Sequence, residues 1–433
     1  MKVKNYLTLM VIMLGLDIHA QTGDTFVCEN VCLKTTFSDN SSKIVTYNEI
    51  IKGRSFYIQN ESRTFYDVKQ SLQDDEIAIE TFACPQANGR VEYVAFVVRN
   101  TYYSPIVFHL FYEDEIKRKV GKGEKIFADV SVASMLLKPI GKELEGIRKI
   151  YFTPSGFLHQ FAIEYCSVEE GVMLAEKYQF FRLTSSAVLT QRIEKRKTYS
   201  HFAIYGGIDY DVLPNYEEEY EGKAKSCRLG YLQDSYLAAI DIDKYLLEIG
   251  LHGTFYANET ATEKSFKLLP GKGVQLFFIE THGVTEPKYT GLSYPNALMF
   301  AGSSYVMEGG IVPEGYEDGL LTTKEIATLD LSGIDLAVIS ACKSALGDID
   351  WKGVDGLMRS FKIAGVNSLI MTTDDVVDYV SGEVWRTFFQ NVVRGMSKRE
   401  SLLNAIKHIR TIHDGFYRSP KYWTPFVLID GID

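Results

Sequence analysis

Two positions in this chain have the residue types for nucleophilic chemistry. His282-Gly283 directly follows an apolar run, VQLFFIET (Val274 to Thr281), and Cys342 directly follows another, LAVISA (Leu336 to Ala341). A free thiol with a pKa near about 8.5 is mostly protonated at neutral pH, so a cysteine nucleophile needs an imidazole beside it to take the proton. Gly283 has no side chain to shield its backbone N–H. Together with the N–H of Cys342, it offers a cradle for the oxyanion of a tetrahedral intermediate. The chemistry implied is acyl transfer through a thioester. The same residue types also have bland uses, since a cysteine closing an apolar strand packs as a small hydrophobe and a histidine after a strand sits in a loop. What separates the two readings is whether both side chains emerge at one crevice.

Other chemistries find less support. The remaining cysteines are Cys28, Cys32, Cys84, Cys166 and Cys227, too few for a disulfide framework in a chain of 433 residues. Cys28 and Cys32 (CENVC) are spaced to pair in an exported protein. A metal site would need two further ligands, and no matching Cys/His pair or HExxH spacing exists, so zinc is disfavoured. No GxSxG elbow points to a serine hydrolase, and no cofactor is expected.

For His282 and Cys342 to meet, the runs that carry them must be neighbouring strands. Near-continuous apolar runs are expected of strands covered on both faces of a parallel sheet. Asn367 to Thr373 (NSLIMTT) and Pro425 to Ile429 (PFVLI) read the same way, and His201 to Tyr205 (HFAIY) reads as a strand stopped by Gly206-Gly207. Helices are expected from an N-cap at Ser235 to Leu247, and at about 354–364, 379–394 and 398–412. Strands separated by helices imply βαβ units and a doubly wound, mostly parallel α/β sheet, whose ligands bind at the carboxyl ends of its strands. Earlier in the chain, Glu92 to Arg99 and Ile147 to Thr153 read as strands. A charged, hairpin-like stretch around 113–125 and a helix near 130–144 lie between them, making a smaller first α/β lobe. The expected organisation is a signal peptide over 1–20, a weakly structured polar lead-in over 21–69, a first lobe over 70–197 and a second over 198–433. The basic run Arg192 to Lys197 marks the junction.

Composition narrows the function classes. Lys and Arg number 46 against 56 Asp and Glu, a formal charge of −10. Hydrophobic residues at 46% and charged residues at 24% permit a core and exclude global disorder. An acidic chain without a basic stripe is a poor partner for nucleic acid, and no run reaches the roughly 18 apolar residues of a membrane span. Lys2, Lys4, the apolar stretch Tyr6 to Leu16 and Ala20 before Gln21 read as a secretory signal, which predicts a secreted or periplasmic protein.

The pair His282-Gly283 and Ser340-Ala341-Cys342 resembles the HG…SAC arrangement of the caspase–hemoglobinase clan of cysteine peptidases. More narrowly, the chain resembles the CHAT-domain family, which is caspase-like and related to separase. The stretches ATE (Ala261 to Glu263), FFIETHG, DGLLTTKEIATLDLSGIDLAVISACKSALGD, GVDGLMRSFKIAGVNSLIMT and YWTPFVLI carry the likeness, and YVAFVVR, IYFTPSGFLHQFAIEY and SSAVL extend it to about residue 70. The resemblance implies a caspase-like lobe behind a smaller, degenerate one. It implies a peptidase acting on protein or peptide substrates, with Cys342 as nucleophile, His282 as base and no metal. The sequence departs from the family after the post-cysteine strand, where Thr372-Thr373 lead into Asp374-Asp375 in place of a Ser-Leu-Trp-type segment. A carboxylate in a partly buried pocket selects a cation, so this pair predicts preference for Arg or Lys at P1; a solvated turn is the competing expectation. The helical repeats common in the family are missing. The alternative to an enzyme is a catalytically silent binding module on the same fold. An exposed activation cleavage at 192–197 or 209–225 fits the composition, and no oligomeric state is implied.

Overall fold

The computed structural model describes residues 32–36, 42–55, 57, 63–86, 88–121, 123–191, 198–212, 230–284, 296–350 and 353–432. The signal-like start, Cys28, Cys227, the basic run 192–197 and most of the loop 209–225 lie outside the described residues. The chain divides into two compact units, Met1–Leu158 with Ile163–Arg192 and Trp351–Gly353, and His159–Ala162 with Ile193–Asp350 and Val354–Asp433.

The first unit begins with a hairpin, β1 (Cys32–Thr36) and β2 (Ser42–Thr46), and the helix α1 (Tyr47–Arg54). A capping box between Thr46 and Glu49 starts α1, and Tyr47, Ile50 and Ile51 bury its apolar face. The stretch expected to be a weakly structured lead-in therefore contributes core. The sheet of this unit contains β3 (Glu76–Pro85), β4 (Val91–Val98), β5 (Ile106–Tyr112), β6 (Lys149–Thr153) and β7 (Gln179–Arg182), in the order β7-β6-β3-β4-β5. The expected hairpin around 113–125 is instead the helix α2 (Glu113–Val120). Its first turn is acidic and its last basic, complementing the helix dipole.

The second unit is built on β8 (His201–Ile208), β9 (His252–Asn258), β10 (Leu276–Glu280), β11 (Leu336–Ser340), β12 (Ser368–Thr372) and β13 (Phe426–Ile429), ordered β9-β8-β10-β11-β12-β13. All neighbours are parallel except β13, which runs antiparallel to β12. Helices α3 (Gln233–Glu248), α4 (Leu357–Ile363), α5 (Asp378–Val393) and α6 (Lys398–Ile409) flank these strands. No helix among the described residues is long and apolar enough to cross a membrane.

The alternation of β10 shows why its run is continuously apolar. Phe277 packs on Phe266, with ring centroids 5.2 Å apart, on one face. Phe278 packs on Trp385 and Phe389 of α5, at 6.1 and 5.3 Å, on the other. Gly206-Gly207 do not stop β8, which continues to Ile208. A Cβ at Gly206 would lie 2.6 Å from Ala239 Cβ, so the glycine gives α3 room to pack on the strand. Ser235 lies inside α3 rather than at its cap. The acceptors at that helix end are supplied from α5 by Asp378, whose Oδ2 takes the Asp234 N–H at 2.9 Å and whose Oδ1 takes the Ser235 N–H at 2.8 Å.

Candidate active site

The last register pair of β10 and β11 is Glu280 opposite Ser340. The ladder continues one step, because Thr281 N–H donates to Ser340 O at 3.0 Å. His282 and Cys342 therefore leave neighbouring parallel strands at the same level, at their carboxyl ends. Both side chains are half-exposed. Gly283 then passes directly over the cysteine: a Cβ there would stand 3.0 Å from Cys342 O and 3.5 Å from Ala341 Cβ. Any larger residue would push the histidine's chain away from the thiol's.

The imidazole is held by groups far away in sequence. Its Nε2 lies 2.8 Å from Gly230 O. A carbonyl only accepts, so Nε2 carries the proton and the Nδ1 lone pair is left for other work. Tyr210 packs against the ring at 5.0 Å between centroids, and its hydroxyl accepts from His282 N–H at 3.3 Å and pairs with Thr281 Oγ1 at 3.0 Å. Gly230 and Tyr210 are positioning residues that sequence reading missed. They lie in irregular chain with no motif of their own, so no local pattern marks them.

After Cys342 the chain turns sharply, with Lys343 in the left-handed region at φ 55°. Ser344 and Thr372 hold this turn. Ser344 Oγ donates to Ile339 O at 3.1 Å and accepts from Thr372 N–H at 3.0 Å, while Thr372 Oγ1 donates to Ala341 O. The thiol contacts the segment after β12. Burial is the largest influence and pushes it above the usual cysteine value. The Asp375 carboxylate adds to the rise, and the Val376 N–H and the Lys343 ammonium oppose it. The thiol is thus predominantly protonated at neutral pH as it stands.

Asp374 and Asp375 are both exposed. Asp375 Oδ2 is 3.2 Å from Lys343 Nζ, and Asp374 Oδ1 accepts from Asp375 N–H at 2.8 Å. The acidic pair does stand beside the thiol, but at the rim and with one carboxylate already facing an ammonium. Elsewhere, Glu263, Glu317 and Glu325 converge with the spacing of cation ligands. Lys267 Nζ fills their centre, 2.6 Å from Glu263 and 2.8 Å from Glu325, and does the work of a cation there.

A mostly parallel sheet flanked by helices, with His-Gly and Ala-Cys at adjacent strand ends, is a caspase-like α/β fold. Residues 131–430 match the family model of the CHAT domain, and the chain belongs to that family. Among solved structures it is similar to Saccharomyces cerevisiae separase in its complex with securin, with a TM-score of 0.50 and 10% identity, over 84% of this chain and 30% of that one. It is also similar to the Arg-specific cysteine proteinase gingipain R, with a TM-score of 0.41 and 10% identity, over 73% of this chain and 74% of that one. A structure of the Porphyromonas gingivalis gingipain pro- and mature domains matches with the same score and identity, over 74% of this chain and 77% of that one. No curated protein matches the sequence.

Proposed function

We propose that this protein is a cysteine endopeptidase, with Cys342 as nucleophile and His282 as general base and then acid. The observation that carries the reading is that His282 and Cys342 leave the carboxyl ends of the neighbouring strands β10 and β11 at the same level, with Gly283 passing over the Cys342 main chain. With Nε2 held by Gly230 O, Nδ1 is the atom that takes the thiol proton. The thiolate attacks the scissile carbonyl, and the Gly283 and Cys342 N–H groups stabilise the oxyanion. The C–N bond breaks as the amine leaves with the proton from His282, giving a thioester on Cys342. A water that loses its proton to His282 then cleaves the thioester and restores the thiol. Substrate entry must turn the sulfur from Asp375 and Val376 toward the imidazole.

A finer proposal concerns P1. Asp374 and Asp375 flank the thiol and favour a basic P1 side chain, but their exposure and the Lys343 bridge limit the gain to about tenfold. A catalytically silent binding module is the second reading, and the raised thiol favours it. Labelling with an acyloxymethyl-ketone probe and digestion of a peptide library, each run with wild type and Cys342→Ala, decide between the readings. The peptidase reading expects label and cleavage that both vanish in the variant, with Arg- and Lys-terminated sites enriched. Cleavage unchanged in Cys342→Ala, or none in either protein, overturns it.

A further inference from the structure

Beneath the candidate site lies a buried polar network that the proposed chemistry does not use. Glu280, two residues before His282, accepts from Ser340 Oγ at 3.0 Å, and Ser340 is two residues before Cys342. On the same carboxyl converge Ser235 of α3 and Ser381 and Asp378 of α5. Asp378 in turn holds the first turn of α3 through the Asp234 and Ser235 N–H groups and Ser235 Oγ. This cluster therefore joins the four segments that carry the site. β10 carries His282, β11 carries Cys342, the lead into α5 carries Asp375 and Val376, and the lead into α3 carries Gly230.

The protonation of Glu280 follows from its partners. Ser381 Oγ has one proton and two carbonyl acceptors within reach, Val377 O at 3.2 Å and Asp378 O at 3.0 Å, and Ser235 Oγ donates to Asp378. Glu280 Oε2 is buried with no hydrogen-bond partner among the described residues. A protonated Oε2 finds hydroxyl oxygens that can accept from it, whereas an ionised one faces the Asp378 carboxylate and must draw the Ser235 and Ser381 protons away from their other acceptors. The titratable groups that face Glu280 are Asp378 from α5 and Tyr210 from the segment after β8.

We propose that Glu280 is a positioning residue that, while protonated, clamps the ends of β10 and β11 and the leads into α3 and α5 in one geometry, and that releases this geometry when it ionises. The inference deepens the peptidase reading by assigning regulation to the same site. Burial and the Asp378 charge push the Glu280 carboxyl up to about 7, so the change falls in the neutral range.

The test uses the full chain and the rate of Cys342 alkylation by iodoacetamide between pH 5.5 and 9, read by mass spectrometry on the Cys342 peptide, with folding checked by circular dichroism. The expected ratio of rates, Glu280→Gln to wild type, is near one below about pH 6 and differs at least about threefold above pH 8. A ratio that is flat with pH overturns the proposal, since a merely structural side chain shifts the rate equally throughout. Ser340→Ala removes a donor that favours the ionised form, so the wild-type midpoint moves to higher pH in that variant; an unmoved midpoint also overturns it. Because alkylation needs no peptide cleavage, an inactive protein with a pH-dependent ratio defeats only the peptidase reading. An active protein with a flat ratio defeats only this one.

Discussion

Cys342 is held between opposing influences, and each can be removed separately. Asp375→Asn deletes a carboxylate that raises the thiol and frees the Lys343 ammonium, which lowers it. Alkylation of Cys342 at pH 7.5 is expected to become severalfold faster in this variant, measured by loss of the unmodified Cys342 peptide; an equal or slower rate shows that burial alone sets the thiol. Under the peptidase reading, His282→Ala lowers kcat/KM by at least about a thousandfold in a fluorogenic peptide assay. Gly283→Ala is the more specific probe. Its new methyl meets Cys342 O, so the strand ends must separate, and kcat/KM falls about tenfold to a hundredfold while the circular dichroism spectrum holds.

The strands and helices that carry these side chains are linked by ionisable groups, and this gives their stability a pH dependence. Glu280 has its pKa raised in the fold to about 7, while in the unfolded chain it returns to about 4.3. The folded state then binds the extra proton between these values. Its contribution to stability is full below about pH 4 and is lost as pH rises through 7. Glu280→Gln removes that loss. Relative to wild type, it is expected to be equal in stability near pH 4 and more stable at pH 8 by about 3–4 kcal/mol, read from urea unfolding at the two values. Asp378→Asn weakens the acceptor at the α3 end and is expected to cost about 1–2 kcal/mol.

The second unit separates chemistry from anchoring along its strands. The candidate site lies at the carboxyl ends, while Asp335, just before β11, meets Lys398 Nζ at 3.1 Å and Tyr199 OH at 2.9 Å at the opposite end. Asp335→Ala leaves a buried ammonium without this carboxylate and is expected to destabilise the fold by about 3 kcal/mol in urea titration. Activity per folded molecule should stay within about twofold, because β10 and β11 keep their register at the far end. Loss of activity larger than the loss of folded protein would show the two ends to be coupled.

Patterns short enough to lie within one segment were legible from the chain. The all-apolar runs of β10 and β11 reported strands buried on both faces, and His282-Gly283 and Cys342 at their ends reported where side chains leave such strands. The alternation of strands with helices implied a doubly wound, mostly parallel sheet, the likeness to the CHAT-domain family implied a caspase-like one, and the order of the strands was not legible. Features that depend on a partner distant in sequence were not legible. β13 reads like its parallel neighbours, yet its direction is set by the path of the chain over the sheet. Gly206-Gly207 read as a stop until α3 was seen packed on them. The proton position on His282 depends on Gly230, the cap of α3 on Asp378, and the state of Glu280 on the two helices that close over it. Local sequence carries hydrophobic period and turn chemistry, because both act between near neighbours. Electrostatic and hydrogen-bond partners act through space, so they are assigned once folding has brought those segments together.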